Sequence, residues 1–343
     1  MKVARLFGPG DVRVLDEPKT EVQPGKILVK VEAVAICASD LRIYEDGHAS
    51  GIVPDHPFIQ GHEFSGSVAE LGEGVDGPAV GAPLIIEPSW HCGQCRLCQM
   101  GLTNICRNVV FPSFPQEDGA LREFINVPPF AVEATSPSID PVTRALMEPL
   151  GVGVHAVRLA DMNPGDRIAI LGCGAIGMCV FVVARAKGFE DIICAEPQDD
   201  RREFAAKAGA RLVTTDHRGL IDSLSDPVDG PDVVFECSGD NAAVQQAMEL
   251  VRPGGKVVVV GIPHPDEVVI DSTVPRRKEL TVFFSRRSRD TLEECVELVE
   301  SGKVDLTAFP VKEFTIDQTP EAFAAAEARE PGMLRAVVRV DRG

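Results

Sequence analysis

The sequence predicts an α/β protein: a mostly-β first domain followed by a doubly wound parallel sheet. Three observations carry that prediction. The first 150 residues are turn-rich and strand-like, with apolar residues recurring at a period of two. From Asn163-Pro164-Gly165 onward, short apolar runs alternate with segments of helical length, the pattern of a parallel sheet with crossover helices. A stretch of eighteen residues, HCGQCRLCQMGLTNICRN (residues 91–108), concentrates four cysteines within the β-rich half and marks a metal-bound loop.

In chain order, Val12, Val14 and Leu15 lie on one strand-like run, and Pro24-Gly25 is a turn. Ile27, Val29 and Val31 then alternate with Leu28, Lys30 and Glu32. Gly and Pro recur at short intervals through residue 129, with no internal repeat and no low-complexity tract. The texture changes near residue 150. Strands are expected at 167–171, 191–195, 232–236 and 256–260, and helices at 175–187, 199–209 and 242–251. The tail returns to short strands at 311–314 and 336–340 around a helix at 321–328. The expected domains are 1–150, 151–290 and a C-terminal segment, 291–343, folded back on the first.

The cysteine spacing is C-x2-C-x2-C-x7-C, at Cys92, Cys95, Cys98 and Cys106. Four thiolates this close in sequence can enclose one ion tetrahedrally; zinc fits best and iron is the rival. Ten cysteines in 343 residues are too sparse for a disulfide scaffold. The set leaves no open position, so the ion shapes a loop and does no chemistry. The formal net charge of −18 disfavours nucleic acid as a partner, and aromatic residues are only 5% of the chain, few for base stacking. No apolar run reaches the ~18 residues of a membrane span. The start, MKVARLFGPGDVRV, lacks an apolar core and a cleavage site, so no signal peptide and a cytoplasmic location are expected.

Leu171-Gly-Cys-Gly-Ala-Ile-Gly177 contains G-x-G-x-x-G between an expected strand and an expected helix. Gly172 allows the tight turn, Gly174 lets backbone approach a pyrophosphate, Ile176 lies within the loop, and Gly177 lets the helix pack on the sheet. The helix N-terminus then receives the phosphates. Glu196 lies at the end of the second strand. A carboxylate there binds the ribose hydroxyls and repels a 2′-phosphate, which favours NAD over NADP. Arg201 and Arg202 lie close enough to welcome a phosphate instead.

Three further segments carry metal-ligand types: Cys37-Ala-Ser-Asp40, Gly61-His-Glu63 and Met147-Glu-Pro-Leu150. Taken with the four-cysteine stretch and the glycine loop, they make the chain resemble the zinc-dependent medium-chain dehydrogenase/reductase family, and within it the polyol (sorbitol-type) dehydrogenases. The resemblance spans nearly the whole chain. It implies a GroES-like catalytic domain with a structural zinc lobe, a Rossmann domain and a returning C-terminal segment. It implies zinc ligands at Cys37 and His62, a neighbouring carboxylate at Glu63, and Glu148 in the place where alcohol dehydrogenases use a third cysteine. Asp40 matches an acid that orients the histidine, Ser39 a proton-relaying hydroxyl, and Gly261-Ile262 a backbone contact to the nicotinamide half. The implied activity is hydride transfer between a secondary alcohol, a polyol above all, and NAD(P), with NAD favoured over NADP, by a homo-oligomer (tetramer or dimer) with one catalytic and one structural zinc per subunit.

Two departures stand out. Arg42 occupies the position where many relatives carry a relay histidine, and arginine does not deprotonate in proteins. The segment 283–289 carries Arg286 and Arg287, which match either an anionic substrate or surface ion pairs. An L-threonine dehydrogenase is the rival enzyme: Ile43-Tyr44 leans its way, Arg42 and the run Glu148-Pro-Leu-Gly against it. A zinc-stabilised dinucleotide-binding regulator is the rival without activity, disfavoured because Cys37, His62, Glu63 and Glu148 occur together.

Overall fold

The computed structural model describes residues 1–48, 53–54, 56–263 and 266–340. The chain divides into two units: Met1–Glu148 with Leu292–Gly343, and Pro149–Thr291. The first unit contains β1 (Lys2–Gly8), β2 (Asp11–Asp16), β3 (Ile27–Ala35), α1 (Ala38–Asp46), β4 (Phe58–Ile59), β5 (Glu63–Leu71), β6 (Pro83–Ile86), α2 (Arg96–Gln99), β7 (Phe124–Val127) and β8 (Val132–Ala134). The alternation at Ile27–Val31 predicts a strand with one wet face. In β3 only Lys30 is exposed, because neighbours cover both faces of the strand.

Besides the single turn α2, two longer helices correct the all-β expectation for residues 1–150. One is α1. It follows Cys37, whose backbone N–H donates to Asp40 Oδ2 at 3.1 Å, and ends at Gly47 in the left-handed conformation. The other is α3 (Pro141–Ala160), which runs straight through Pro149, Gly151 and Gly153. Those residues ordinarily end helices, which is why sequence pattern placed a boundary near 150 and no helix. The glycines have a packing reason: a Cβ on Gly151 would lie 2.7 Å from Thr291 Oγ1, and one on Gly153 2.8 Å from the Cys179 carbonyl carbon.

The second unit follows the expected alternation: β9 (Ile168–Leu171), α4 (Ala175–Ala186), β10 (Ile192–Ala195), α5 (Asp199–Lys207), β11 (Leu212–Thr214), α6 (His217–Asp222), β12 (Val233–Glu236), α7 (Asn241–Leu250), β13 (Lys256–Val259), α8 (Thr273–Lys278) and β14 (Thr281–Phe284). All its strands pair in parallel, in the order β11-β10-β9-β12-β13-β14. This is the doubly wound order, which reverses beside β9. β9, β10 and β12 are buried at every position, as strands covered on both faces must be.

The chain then adds α9 (Leu292–Glu300), β15 (Val311–Thr315), α10 (Thr319–Glu327) and β16 (Arg335–Arg339) to the first unit. β16 pairs antiparallel with β3, with Val337 opposite Ala35, and β15 pairs in parallel with β16. The larger sheet runs β15-β16-β3-β5-β6-β8, with β7 also on β3, and a three-stranded sheet runs β2-β1-β4.

His155, on α3, is buried, and its pKa is lowered to about 4 by burial and then by Arg289 and Arg158. The unfolded chain therefore binds a proton below about pH 6.5 that the folded chain refuses until about pH 4. Stability contributed by the neutral imidazole is full above pH 6.5 and falls on acidification, by on the order of 2 kcal/mol. Urea denaturation of wild type and His155→Gln at pH 7.5 and pH 5 checks this. The variant is expected to show the shallower acid loss.

Candidate metal centres and dinucleotide loop

Strand pairing assembles the first centre. Ala35 at the end of β3 lies opposite Glu63 at the start of β5, so Cys37 and His62, just beyond the two strand ends, meet. One ligand atom each from Cys37, His62 and Glu63 lies within 4.8 Å of the others. Gly61 makes the approach possible: its φ is +93°, and a Cβ there would lie 2.7 Å from Val34 Cγ1. His62 and Glu63 are buried.

Asp40 is 1% exposed, and its Oδ1 lies 3.4 Å from His62 Nδ1. It also accepts from Cys37 N and from the Ser113 hydroxyl. Nδ1 makes no hydrogen bond at that distance, yet the carboxylate's charge favours a proton on Nδ1 and leaves Nε2 as the ligand atom. Burial works against a charged imidazole, yet Asp40 and Cys37 together hold His62 well above its usual pKa. Burial, with Glu63 adding to it, pushes the Cys37 thiol up. A half-buried thiol with a buried imidazole and carboxylate at this spacing matches the donors and number of an open zinc site.

Both oxygens of Glu63 are already engaged. Arg335 on β16 donates from Nε at 3.1 Å and from Nη2 at 2.9 Å. Glu148 is buried at the end of the first unit but lies outside the three-residue set. Burial, and then the charge of Glu63, raise its pKa well above the carboxylate range. Ser39 sits half-buried on the first turn of α1 and Arg42 half-buried one turn later. Sequence reasoning missed Arg335 and Ser113. No local motif marks either one: Arg335 comes from 272 residues away by strand pairing.

The second centre gathers all four cysteines of the 91–108 stretch. Sγ separations are 3.5 Å for Cys95–Cys98, 3.8 Å for Cys95–Cys106 and 3.5 Å for Cys106–Cys92. Tetrahedral thiolates at zinc–sulfur distances of ~2.3 Å stand ~3.8 Å apart, whereas a disulfide is ~2.05 Å. Backbone N–H groups of Gln94 and Cys95 lower Cys92 to about 6, while burial and the neighbouring thiols push Cys98 up to about 12. One cation among the four resolves that conflict. The donor set, the spacing and the backbone N–H groups of Cys92 and Asn108 turned to the Cys106 sulfur all fit zinc.

In the second unit the glycine loop leaves β9 and enters α4. Gly172 has φ +93°, and a Cβ there would lie 2.8 Å from Ser238 N, just past β12. A Cβ on Gly177 would lie 1.9 Å from the Gly172 carbonyl oxygen. Gly174 is open, with only Arg201 Nη1 at 3.6 Å, so Arg201 stands over the loop. Ile176 is partly buried on the first turn of α4. Glu196 is buried, and its carboxylate accepts from Cys173 N at 2.8 Å and Gln198 N at 3.0 Å. This ties the second strand's acid to the loop. Gly261 lies beside Gly239, and Ile262 is 48% exposed. Sequence reasoning also missed Glu236, fully buried at the end of β12. Its Oε1 accepts from Ser238 and Gly239, and its Oε2, with no partner, lies 2.7 Å from a Cβ built on Gly261.

Comparison with known proteins agrees with both halves. Residues 23–135 match the family described as alcohol dehydrogenase GroES-like domain, and residues 175–301 the family described as zinc-binding dehydrogenase. Sorbitol dehydrogenase of Bacillus subtilis (strain 168) is 31% identical over 345 residues, covering 100% of this chain and 98% of the relative. L-threonine 3-dehydrogenase of Pyrococcus abyssi is 36% identical over 341 residues, covering 97% and 96%. Among solved structures, a protein described as a zinc-binding dehydrogenase from Sinorhizobium meliloti 1021, bound to NADP, is similar with a TM-score of 0.86. It is 30% identical, with 99% of each chain covered.

Proposed function

The chain belongs to the zinc-dependent medium-chain dehydrogenase/reductase family, in its polyol branch, and on that premise we propose that it oxidises a secondary alcohol, a polyol or sugar alcohol, with NAD. The observation that carries the reading is the clustered Cys37–His62–Glu63 set in a chain that also holds a complete dinucleotide loop. Cys37, His62 and Glu63 would hold a catalytic zinc, with Glu148 as an exchangeable carboxylate, and Cys92, Cys95, Cys98 and Cys106 a structural one. When bound, the catalytic zinc supplies Lewis acidity and the nicotinamide accepts hydride.

The chain's own residues do the rest. Asp40 fixes the tautomer of His62. Arg335 decides how freely Glu63 moves. Ser39 can accept a proton and pass it on, and Glu148, with its pKa raised by burial, holds one. Arg42 takes no part in proton transfer. Gly172, Gly174, Ile176 and Gly177 seat the pyrophosphate with Arg201 above them, and Gly261 and Ile262 contact the nicotinamide half. Glu196 would receive the ribose hydroxyls. Glu196→Ala is expected to shift the ratio of kcat/KM for NAD over NADP about tenfold or more toward NADP. An unchanged ratio removes Glu196 from that role.

A cytoplasmic homo-oligomer, dimer or tetramer, completes the reading. It is supported by the edge strand β14, whose Phe284 is 66% exposed. No described helix is long and apolar enough to cross a membrane. The test is a substrate panel with both cofactors. Reduced cofactor is expected with sorbitol, threitol or inositols. The 36% identity to an L-threonine 3-dehydrogenase favours a second reading, and turnover of threonine alone would establish it.

A further inference from the structure

Beside the four-cysteine lobe, whose Cys92 forms part of its wall, the first unit holds a cavity of about 470 Å³. This lies within the ~300–1,000 Å³ usual for small-molecule sites. Its wall includes Lys26, Trp90, His91, Glu117, Arg122 and Phe130, and no member of the Cys37–His62–Glu63 set.

Two buried donors on the wall lack acceptors. Trp90 is 5% exposed, and its Nε1–H has no partner. Arg122 Nε–H is likewise buried and unpartnered. The guanidinium donates from Nη2 to the Asp118 carbonyl at 3.2 Å and forms no ion pair among the described residues. Lys26 Nζ stands 5.4 Å from the centre of the Trp90 ring. Glu117 is the one acid on the wall. Burial pushes its carboxyl up against the pull of Arg122 and Lys26. Buried donors without acceptors are costly, and two cations facing one acid across a cavity are out of character in a chain of net charge −18. Phe130, tilted against His91 with ring centres 4.4 Å apart and itself exposed, offers an apolar surface beside these donors.

We propose that this cavity binds a small organic oxyanion, a carboxylate or phosphate held by Arg122, Lys26 and the Trp90 indole N–H, with its carbon body against Phe130. A planar guanidinium suits either headgroup, since both accept two parallel N–H bonds.

Trp90 is the only tryptophan in the chain, so its fluorescence reads the cavity directly. The zinc-loaded protein is titrated at constant ionic strength with gluconate, glucose 6-phosphate, inorganic phosphate and neutral sorbitol. A saturable change with gluconate or glucose 6-phosphate, and none with sorbitol, is expected; the better of the two identifies the headgroup. Losing one charge-assisted contact should weaken the response about tenfold or more in Arg122→Gln. Lys26→Gln, at a less buried position, should weaken it too and covers the case in which the arginine variant does not fold. His62→Ala should leave the response unchanged, which separates this cavity from the catalytic centre. Three results overturn the proposal: no anion changes the fluorescence up to about 10 mM; the response is lost in His62→Ala; or inorganic phosphate binds as well as the organic anions, which removes the role of the carbon body.

Discussion

His62→Ala is expected to lower kcat/KM about a thousandfold and to remove one of two zinc ions per chain, because an open zinc site with three protein ligands loses its only imidazole. Asp40→Asn should do less. It keeps the ligand and disturbs only its orientation, a change worth about 10- to 100-fold in metal affinity or activity. Metal analysis and initial rates measured on the same preparations check both. A His62→Ala protein that keeps two zincs and activity within about tenfold of wild type would remove the Cys37–His62–Glu63 set from the chemistry. The four-cysteine lobe serves as an internal control, since its ion should remain in both variants.

Gly177→Val carries the second large effect. A Cβ at that position falls 1.9 Å from the Gly172 carbonyl oxygen, which is backbone and cannot swing aside. The loop must open or α4 must lift, at about 1–3 kcal/mol or more in stability. Melting should fall by several degrees, at roughly 2–4 °C per kcal/mol for a unit of this size. Cofactor binding should weaken about a hundredfold, because the backbone N–H groups no longer converge on one phosphate position. Gly174→Ala separates the two effects. A methyl there meets only Arg201 Nη1 at 3.6 Å, so folding should be unaffected while the pyrophosphate is crowded. Calorimetry with and without NAD reads both quantities. Normal NAD binding by Gly177→Val would show that the loop does not seat the cofactor.

Features encoded locally were legible in the sequence. The glycine loop, the strands on either side of it and the four-cysteine stretch each declare themselves within about twenty residues, because turn geometry and metal chelation are short-range demands. The expected strand at 256–260 is observed as Lys256–Val259, and the expected helix at 242–251 as Asn241–Leu250. What depends on tertiary contact was not legible. α3 runs through Pro149 and keeps two glycines because neighbours pack closely onto Gly151 and Gly153, whereas propensity alone argues for a break. The strand β11, the short helices α6 and α8 and the edge strand β14 are too short to show a period. The hydroxyl of Ser113 beside Asp40 has no sequence signature. Neither does the Arg335 clamp on Glu63, for which strand register over a very long separation is responsible.

That clamp bears on how the protein is made. The stretch Pro149–Thr291 is continuous and can close its sheet as it leaves the ribosome. The other unit must wait: β16 has to arrive before β3 gains that neighbour and before Glu63 meets its counter-ion. A nascent chain halted at residue 330 would hold every thiol and imidazole named above, yet leave one buried acid without its guanidinium. Translation would thus delay completion of the pocket around Glu63 until β16 has emerged.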